Sequence, residues 1–451
     1  MHYHLIGIGG IGMSGIAHLL LRRGLEVSGS DLKDGATTRE LKKMGARIFL
    51  GHEAANITGA DLIIYSSAIK EDNPEVREAK RLNKPLIKRA EALAQLMQDK
   101  SVITVAGSHG KTTTTSLISY LLLNAGLMPT AAIGGILRNI DSNALSGDGK
   151  YFVAEADESD GSFLCYRPKY SVITNIDREH LDYYKDFANE VKAFKEFTER
   201  TEEDGVLFLC ADDPNLRDIL KSYKNRHVLF GLGEGADIVP RNINLKELSS
   251  DFDCFFKDKF VANFQLALGG RHNISNSLSV IALGLELGID LKVIQKTLAE
   301  YQGAKRRLEI KFSANGILVI DDYAHHPTEI RATLEALKNL KRKRVLAVFQ
   351  PHRFSRTQLL LDEFGKSFEN VDFVAITDIY PAGEPAIKGI DAKRVLEKIK
   401  EYSPLKESRY IAKEEIVTYL LGALTPGDLV ILLGAGDIVK ISDELAEKLK
   451  G

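Results

Sequence analysis

The stretch Gly107-Ser108-His109-Gly110-Lys111-Thr112 decides how this chain reads. It follows the apolar run Ser101 to Ala106 and precedes a helix-like segment that continues to Asn124. A strand, a glycine-rich turn and a helix start, in that order, let backbone N–H groups surround a phosphate while Lys111 reaches its outer oxygens. The turn is shorter than the usual GxxxxGK[ST] form, because only two residues separate Gly107 from Gly110. The Thr112 hydroxyl is then a candidate ligand for magnesium, and Thr113 to Thr115 either add polar contacts or run on into the helix.

Outward from this turn, Tyr151 to Ala154 reads as another strand and ends in Glu155-Ala156-Asp157-Glu158-Ser159-Asp160. Carboxylates just beyond a core strand can position magnesium when a phosphate loop lies on a neighbouring strand, and Glu155 is the leading candidate. Tyr170 to Thr174 repeats the pattern and runs into Asn175-Ile176-Asp177-Arg178-Glu179-His180. His180, beside this second carboxylate set, is either a further metal ligand or a histidine hydrogen-bonded in its loop. Val206 to Cys210 makes another strand end, and shorter strands with an antiparallel extension follow it. The polar start His272-Asn273 of the apolar helix Ile274 to Leu287 either looks onto a nucleotide or simply opens the helix.

Upstream, short strands alternate with helices: Tyr3 to Gly7, Glu26 to Gly29 and Asp61 to Ser66 as strands, Met13 to Arg23 and Thr37 to Lys43 as helices. That alternation predicts a parallel sheet with helices on its faces. Gly7, Gly9 and Gly12, followed by Asp31 at the end of the second strand, have the spacing of a dinucleotide fingerprint. The extra glycines Gly10 and Gly15 make close approach of some phosphorylated ligand credible without specifying nicotinamide. An unligated packing turn is the alternative.

Downstream, from about Lys305, strands at Ile317 to Ile320, Val345 to Gln350, Phe373 to Thr377 and Leu429 to Leu433 each run into a polar exit. The exits are Asp321 to Glu329, Pro351 to Thr357, Asp378 to Glu384 and Gly434 to Asp437. In an open parallel sheet such exits converge on a ligand crevice. Arg353 and Arg356 either clamp an anionic oxygen or form a surface pair at a helix entry. The chain therefore reads as α/β in three segments, 1–97, 98–303 and 304–451.

The 451 residues suffice for about two to four domains. A net charge of -2 gives no support for a general nucleic-acid binder. Cys165, Cys210 and Cys254 lack any paired metal-site spacing and suit a reducing compartment. The N-terminus enters a folded pattern at once, apolar runs break before membrane-spanning length, and a cytoplasmic location is expected. The basic cluster Lys341 to Arg344 reads as a solvated helix end feeding a buried strand.

A phosphate loop plus an acidic strand end predicts ATP with magnesium. A second phosphate-binding turn predicts another phosphorylated substrate, which favours ATP-dependent transfer or ligation. A nicotinamide dehydrogenase with a regulatory phosphate loop and a non-enzymatic nucleotide switch are the other readings.

The motifs GIGGIGMSG (Gly7 to Gly15), GSHGKTTTT (Gly107 to Thr115), EADESD (Glu155 to Asp160), GRHNISN (Gly270 to Asn276), DDYAHHPTE (Asp321 to Glu329), PHRFSRT (Pro351 to Thr357), YPAGE (Tyr380 to Glu384) and GAGD (Gly434 to Asp437) resemble those of the Mur ligase family, in its alanine-adding branch. The resemblance spans nearly the whole chain. It implies a three-domain enzyme with Rossmann-like outer domains and a central P-loop domain, which activates the carboxylate of UDP-N-acetylmuramate with ATP and joins it to L-alanine. It replaces the dinucleotide by the UDP group, implicating Gly9, Gly10, Ile11, Gly12, Met13, Ser14, Asp31 and Ser67. For ATP it implies Gly107, Ser108, His109, Gly110, Lys111, Thr112, Thr113, His272, Asn273 and Arg307. It further implies Mg2+, with Mn2+ able to substitute, on Thr112, Glu155 and His180. Tyr323, His352 and Arg356 would take the amino acid, and Lys111, Glu155, His180, His352 and Arg356 form the implied catalytic set. Some relatives carry a carbamoylated lysine; Lys192 and Lys195 occur downstream of His180, and both read as solvated. A monomer or weak homo-oligomer is expected, with no nucleic-acid partner.

Overall fold

The computed structural model describes residues 1–66, 68–404 and 406–450. Ser67, one of the expected UDP contacts, lies outside them. The first sheet contains β1 (His2–Ile6), β2 (Glu26–Asp31), β3 (Arg47–Leu50), β4 (Leu62–Tyr65) and β5 (Leu86–Lys88), all parallel, in the order β3-β2-β1-β4-β5. The order reverses about β1, so its carboxyl end is a switch point, and there the glycine turn leads into helix Ile11–Arg22. Three of these strands are anticipated from sequence. The other two, β3 and β5, have only four and three residues and lack a buried run.

Beneath this sheet lies a polar network that the apolar pattern does not announce. Helix Pro74–Arg81 is capped by Asn73 and buries Glu75 completely. Its Oε2 accepts from Ser30 Oγ at 2.7 Å and meets His4 Nε2 at 3.1 Å, while Oε1 accepts from Asn56 Nδ2 at 2.7 Å. Ser28 Oγ joins His4 Nδ1 at 2.8 Å and His2 Nε2 at 2.7 Å. Burial raises the Glu75 pKa, but the bonds from His4, Asn56 and Ser30 outweigh it and hold the carboxyl below its ordinary value.

The second sheet has ten strands: β6 (Ser101–Ala106), β7 (Thr130–Leu137), β8 (Ser142–Leu145), β9 (Tyr151–Glu155), β10 (Tyr170–Ile173), β11 (Val206–Cys210), β12 (His227–Phe230), β13 (Ile238–Leu245), β14 (Ser250–Phe256) and β15 (Lys259–Leu266). Their order is β15-β14-β13-β12-β11-β10-β6-β9-β7-β8. The strands β9, β6 and β10 are parallel neighbours, so their polar exits emerge at one edge. The hairpin β7–β8 is not foreseen from sequence. Its Asn143 donates to Ile11 O at 2.8 Å and Ser14 Oγ at 3.1 Å, fixing the first helix's start against this sheet.

The third sheet holds β16 (Glu309–Ala314), β17 (Ile317–Asp322), β18 (Arg344–Phe349), β19 (Phe373–Ile376), β20 (Glu407–Tyr410) and β21 (Asp428–Leu433), ordered β16-β17-β21-β18-β19-β20. Only β16 is antiparallel to its neighbour. Alternate residues feed two cores: Ile320, Phe349 and Ile431 pack with Leu334 and Phe364, whereas Val319, Val348 and Leu432 pack with Leu420 and Leu445. The chain divides into two compact units, Met1–Arg241 with Cys254–Ala262 and Ser275–Tyr301, and Asn242–Asp253 with Asn263–Ile274 and Gln302–Gly451. Among the described residues no helix is long and apolar enough to cross a membrane.

Replacing Glu75 by Ala strands His4, Ser30 and Asn56 without their shared acceptor. A loss of about 3–5 kcal/mol in urea unfolding is expected, with Glu75→Gln losing less.

Candidate active site

The turn after β6 takes a shape that only glycine permits at its two ends. Gly107 has φ +125° with the Thr174 hydroxyl and the Asn175 backbone against its α-carbon, and Gly110 has φ +83° with Asn276 Oδ1 2.7 Å from where a Cβ would sit. The exit of β10 straps the turn in place. Ser108 N donates to Asn175 O at 3.0 Å, His109 N to Asn175 Oδ1 at 2.9 Å, and Thr174 Oγ1 to His109 O at 2.6 Å. The His109 ring pairs with Asp177 at 2.9 Å, so this residue contributes structure as well as backbone. Helix Lys111–Asn124 begins directly after the turn, aiming its free N–H groups and positive dipole end toward it.

The expected metal residues fall into two groups. Thr112 Oγ1 lies 3.0 and 3.2 Å from the Glu155 carboxylate, which also accepts from Gly134 N at 3.1 Å. His180, in a left-handed backbone conformation at φ 55°, lies with Glu158 and Glu179 instead, at 3.6 and 3.5 Å. These three offer ligand atoms within 4.8 Å of one another, a set able to hold a metal ion. Sequence reasoning left Glu158 and Glu179 unassigned, although both stand in the quoted acidic stretches. Glu158 Oε2 is buried without a hydrogen-bond partner, a vacancy in bonding that a hard cation's oxygen coordination would satisfy. Lys111 Nζ donates to Glu158 Oε1 at 2.7 Å, Gly107 O at 2.6 Å and Ser108 O at 3.2 Å. Burial works against its charge, but Glu158, Asp157 and Glu155 raise the lysine pKa well above its ordinary value.

Helix Phe187–Thr198 turns a carboxyl inward and its lysines outward. Lys192 and Lys195 line a charged surface hollow with Arg167, Glu196 and Glu199. Glu190 is fully buried, neither oxygen making a hydrogen bond of good geometry. Burial, then the neighbouring Glu158 charge, pushes it up to about 9.

At the glycine turn of β1, the side chains named from sequence mostly serve the fold. Met13 is buried in the core, Ser14 donates to Ile11 O at 3.0 Å, and Asp31 Oδ2 accepts from Gly9 N at 2.9 Å. Ile11 is 40% exposed. Beside the turn stands the Arg89 guanidinium, 2.9 Å from where a Cβ at Gly12 would sit and paired with Asp157 at 3.1 Å.

In the second unit the strand exits zip together. Tyr380 N donates to Pro351 O at 2.8 Å and Arg353 N to Tyr380 O at 2.9 Å, while Glu384 accepts from Ser355 N at 3.0 Å and Ser355 Oγ at 2.7 Å. This brings His352 face to face with Tyr380 at 5.5 Å and puts Arg356 Nη1 3.3 Å from His352 Nδ1. Tyr323 lies under Arg306 and Arg307, each 5.1 Å from the ring centre. Arg307 also approaches Glu329 at 3.6 Å. Asn273 spends its amide on Gly269 O at 2.8 Å. The His272 ring has a pKa lowered to about 4, first by burial and then by Arg307, with Glu329 opposing.

Three family models match in order: the Mur ligase family catalytic domain over residues 2–101, the Mur ligase middle domain over 105–284, and the Mur ligase glutamate ligase domain over 306–436. The chain belongs to the Mur ligase family. It is 44% identical over 450 residues to a UDP-N-acetylmuramate–L-alanine ligase of Syntrophus aciditrophicus, covering 100% of this chain and 94% of that protein. A ligase of the same description from Sorangium cellulosum is 45% identical over 441 residues, 97% of this chain and 94% of that one. The crystal structure of a UDP-N-acetylmuramate–alanine ligase from Thermotoga maritima superposes with a TM-score of 0.86 at 29% identity, covering 100% of this chain and 99% of that one. Membership in the Mur ligases sets the nicotinamide reading aside.

In this Mur ligase His272 is neutral in the folded state throughout the neutral range. Above its ordinary value of 6.5 the ring is neutral folded or unfolded and stability is insensitive to it. As pH falls from 6.5 toward about 4, only the unfolded chain takes up the proton, so stability declines. Urea unfolding above and below that window is expected to show a smaller decline for His272→Gln than for the parent.

Proposed function

We propose that this Mur ligase joins L-alanine to the muramoyl carboxylate of UDP-N-acetylmuramate at the expense of ATP, giving UDP-N-acetylmuramoyl-L-alanine, ADP and phosphate in the cytoplasm. The observation that carries the reading is the gathering, at three neighbouring strand ends, of a phosphate loop with its lysine, a threonine–carboxylate pair and a carboxylate–histidine set. Full-length relatives of the same description support the choice of substrates.

In this reading the muramoyl carboxylate oxygen attacks the γ-phosphorus, the bond to ADP breaks, and an acyl phosphate forms. The alanine amine then attacks the acyl carbon, phosphate departs, and the amine's surplus proton is released. Gly107 to Thr113 surround the ATP phosphates, with Lys111 as the cation among them. Thr112 and Glu155, and His180 with its carboxylates, hold Mg2+ or Mn2+, which supplies charge neutralisation between anionic reactants. His272, Asn273 and Arg307 serve the nucleotide, while Tyr323, His352 and Arg356 receive alanine, with the Arg356 guanidinium matching its carboxylate. The turn from Gly9 to Ser14 and Asp31 form the UDP side. Preorganised positive charge is the dominant catalytic contribution.

The test is a coupled assay with magnesium-ATP, UDP-N-acetylmuramate and single amino acids, following phosphate and the nucleotide-linked product. Alanine-dependent formation of both is expected, with Lys111→Ala lowering kcat/KM by about 10²- to 10³-fold. Arg356→Lys is expected to raise KM for alanine more than it lowers kcat. Hydride transfer to or from a nicotinamide without ATP use would overturn the reading.

A further inference from the structure

An ammonium group has three N–H donors, and those of Lys111 all have acceptors inside the protein: Glu158 Oε1 at 2.7 Å, Gly107 O at 2.6 Å and Ser108 O at 3.2 Å. In this arrangement none is left for a phosphate. Two acceptors are neutral carbonyls of the turn itself. The third is a completely buried carboxylate, so separating it from Lys111 leaves a charge with nothing to balance it.

That carboxylate also borders a cation pocket. The Oε1 bonded to Lys111 is 3.6 Å from His180 Nε2, and Glu158, Glu179 and His180 bring three ligand atoms within 4.8 Å. Its second oxygen has no hydrogen-bond partner. Nearby Glu190 is buried as well and, as a carboxyl group, supplies Glu158 with no countercharge. One carboxylate thus stands between an ammonium and a metal pocket and cannot fully neutralise both.

We infer that Glu158 is a positioning residue that exchanges counterions: without a divalent cation it holds Lys111 down in the turn, and a divalent cation at Glu158, Glu179 and His180 takes over the carboxylate and releases Lys111 to the triphosphate. The inference rests on the reading of Gly107 to Thr112 as the nucleotide-phosphate loop. It goes further by making the cation a condition for the lysine's availability. Triphosphate and cation then bind as a couple. A triphosphate arriving alone meets a lysine already paired and a carboxylate of its own sign.

The experiment is isothermal titration of the full-length protein with a non-hydrolysable ATP analogue, in EDTA and in magnesium, for the parent and Glu158→Gln. The amide keeps the size and removes the charge. Exchange predicts that Glu158→Gln tightens metal-free binding at least about tenfold, or about 1.4 kcal/mol, and that the gain from magnesium shrinks correspondingly. A residue that only ligates the metal predicts weaker binding in magnesium and no gain in EDTA, and that result overturns the inference. A thermal melt of the variant accompanies the titration. Independently of nucleotide, Lys111→Met is expected to raise Mn2+ affinity about tenfold, read by electron paramagnetic resonance of free Mn2+, because it vacates Glu158. Unchanged Mn2+ affinity in that variant sinks the exchange even if Glu158→Gln does not fold. Failure of the parent to bind the analogue in magnesium would instead sink the phosphate-loop reading, and the Mn2+ measurement would still judge the exchange.

Discussion

Parallel strands deliver their exits to one edge, and the chemistry of this molecule depends on that constraint. Because β9, β6 and β10 are neighbours running the same way, the acidic run after Tyr151–Glu155, the glycine turn after Ser101–Ala106 and the loop after Tyr170–Ile173 leave the sheet at the same edge. The consequence is electrostatic. A lysine and several carboxylates crowd together there, Glu158 completely buried among them, so each group's charge is set by its neighbours. The Lys111–Glu158 pair and the raised Glu190 carboxyl are two outcomes of that crowding.

Rigidity has a separate origin. The turn from Gly107 to Gly110 has no large apolar side chain to anchor it, and Thr174, Asn175 and Asp177 hold it from the next strand end through hydrogen bonds to its backbone and to His109. The same device recurs in the second unit, where Glu384 and the Tyr380 backbone hold the segment carrying His352 and Arg356. In both places polar loops are made precise by other polar loops, each resting on a strand of fixed register.

A buried polar network under the first sheet serves a different end. Four side chains there, His2, His4, Ser30 and Asn56, converge on Glu75 and Ser28, linking two strands, a helix and the short turn Ala54–Ile57. It is far costlier to disturb than an exposed ion pair, since any one removal strands the rest. Nothing in it depends on ligand.

Much of this was legible along the chain. The switch from apolar runs to glycine or acidic exits marks strand ends locally, because hydrogen bonding and φ preference act over a few residues, so Gly107, Lys111, Glu155 and His180 stand out unaided. Short strands such as Arg47–Leu50 and the β7–β8 hairpin did not stand out, since pairing rather than composition makes them strands. Only the tertiary structure decided that His180 gathers with Glu158 and Glu179 while Thr112 pairs with Glu155, that Asp31 is taken by Gly9, and that Glu190, not Lys192 or Lys195, is the charged residue helix Phe187–Thr198 buries. Which of several nearby charges become partners depends on the direction of side chains from separate strands and helices, and on how deeply the fold buries them, and neither is written in residue spacing.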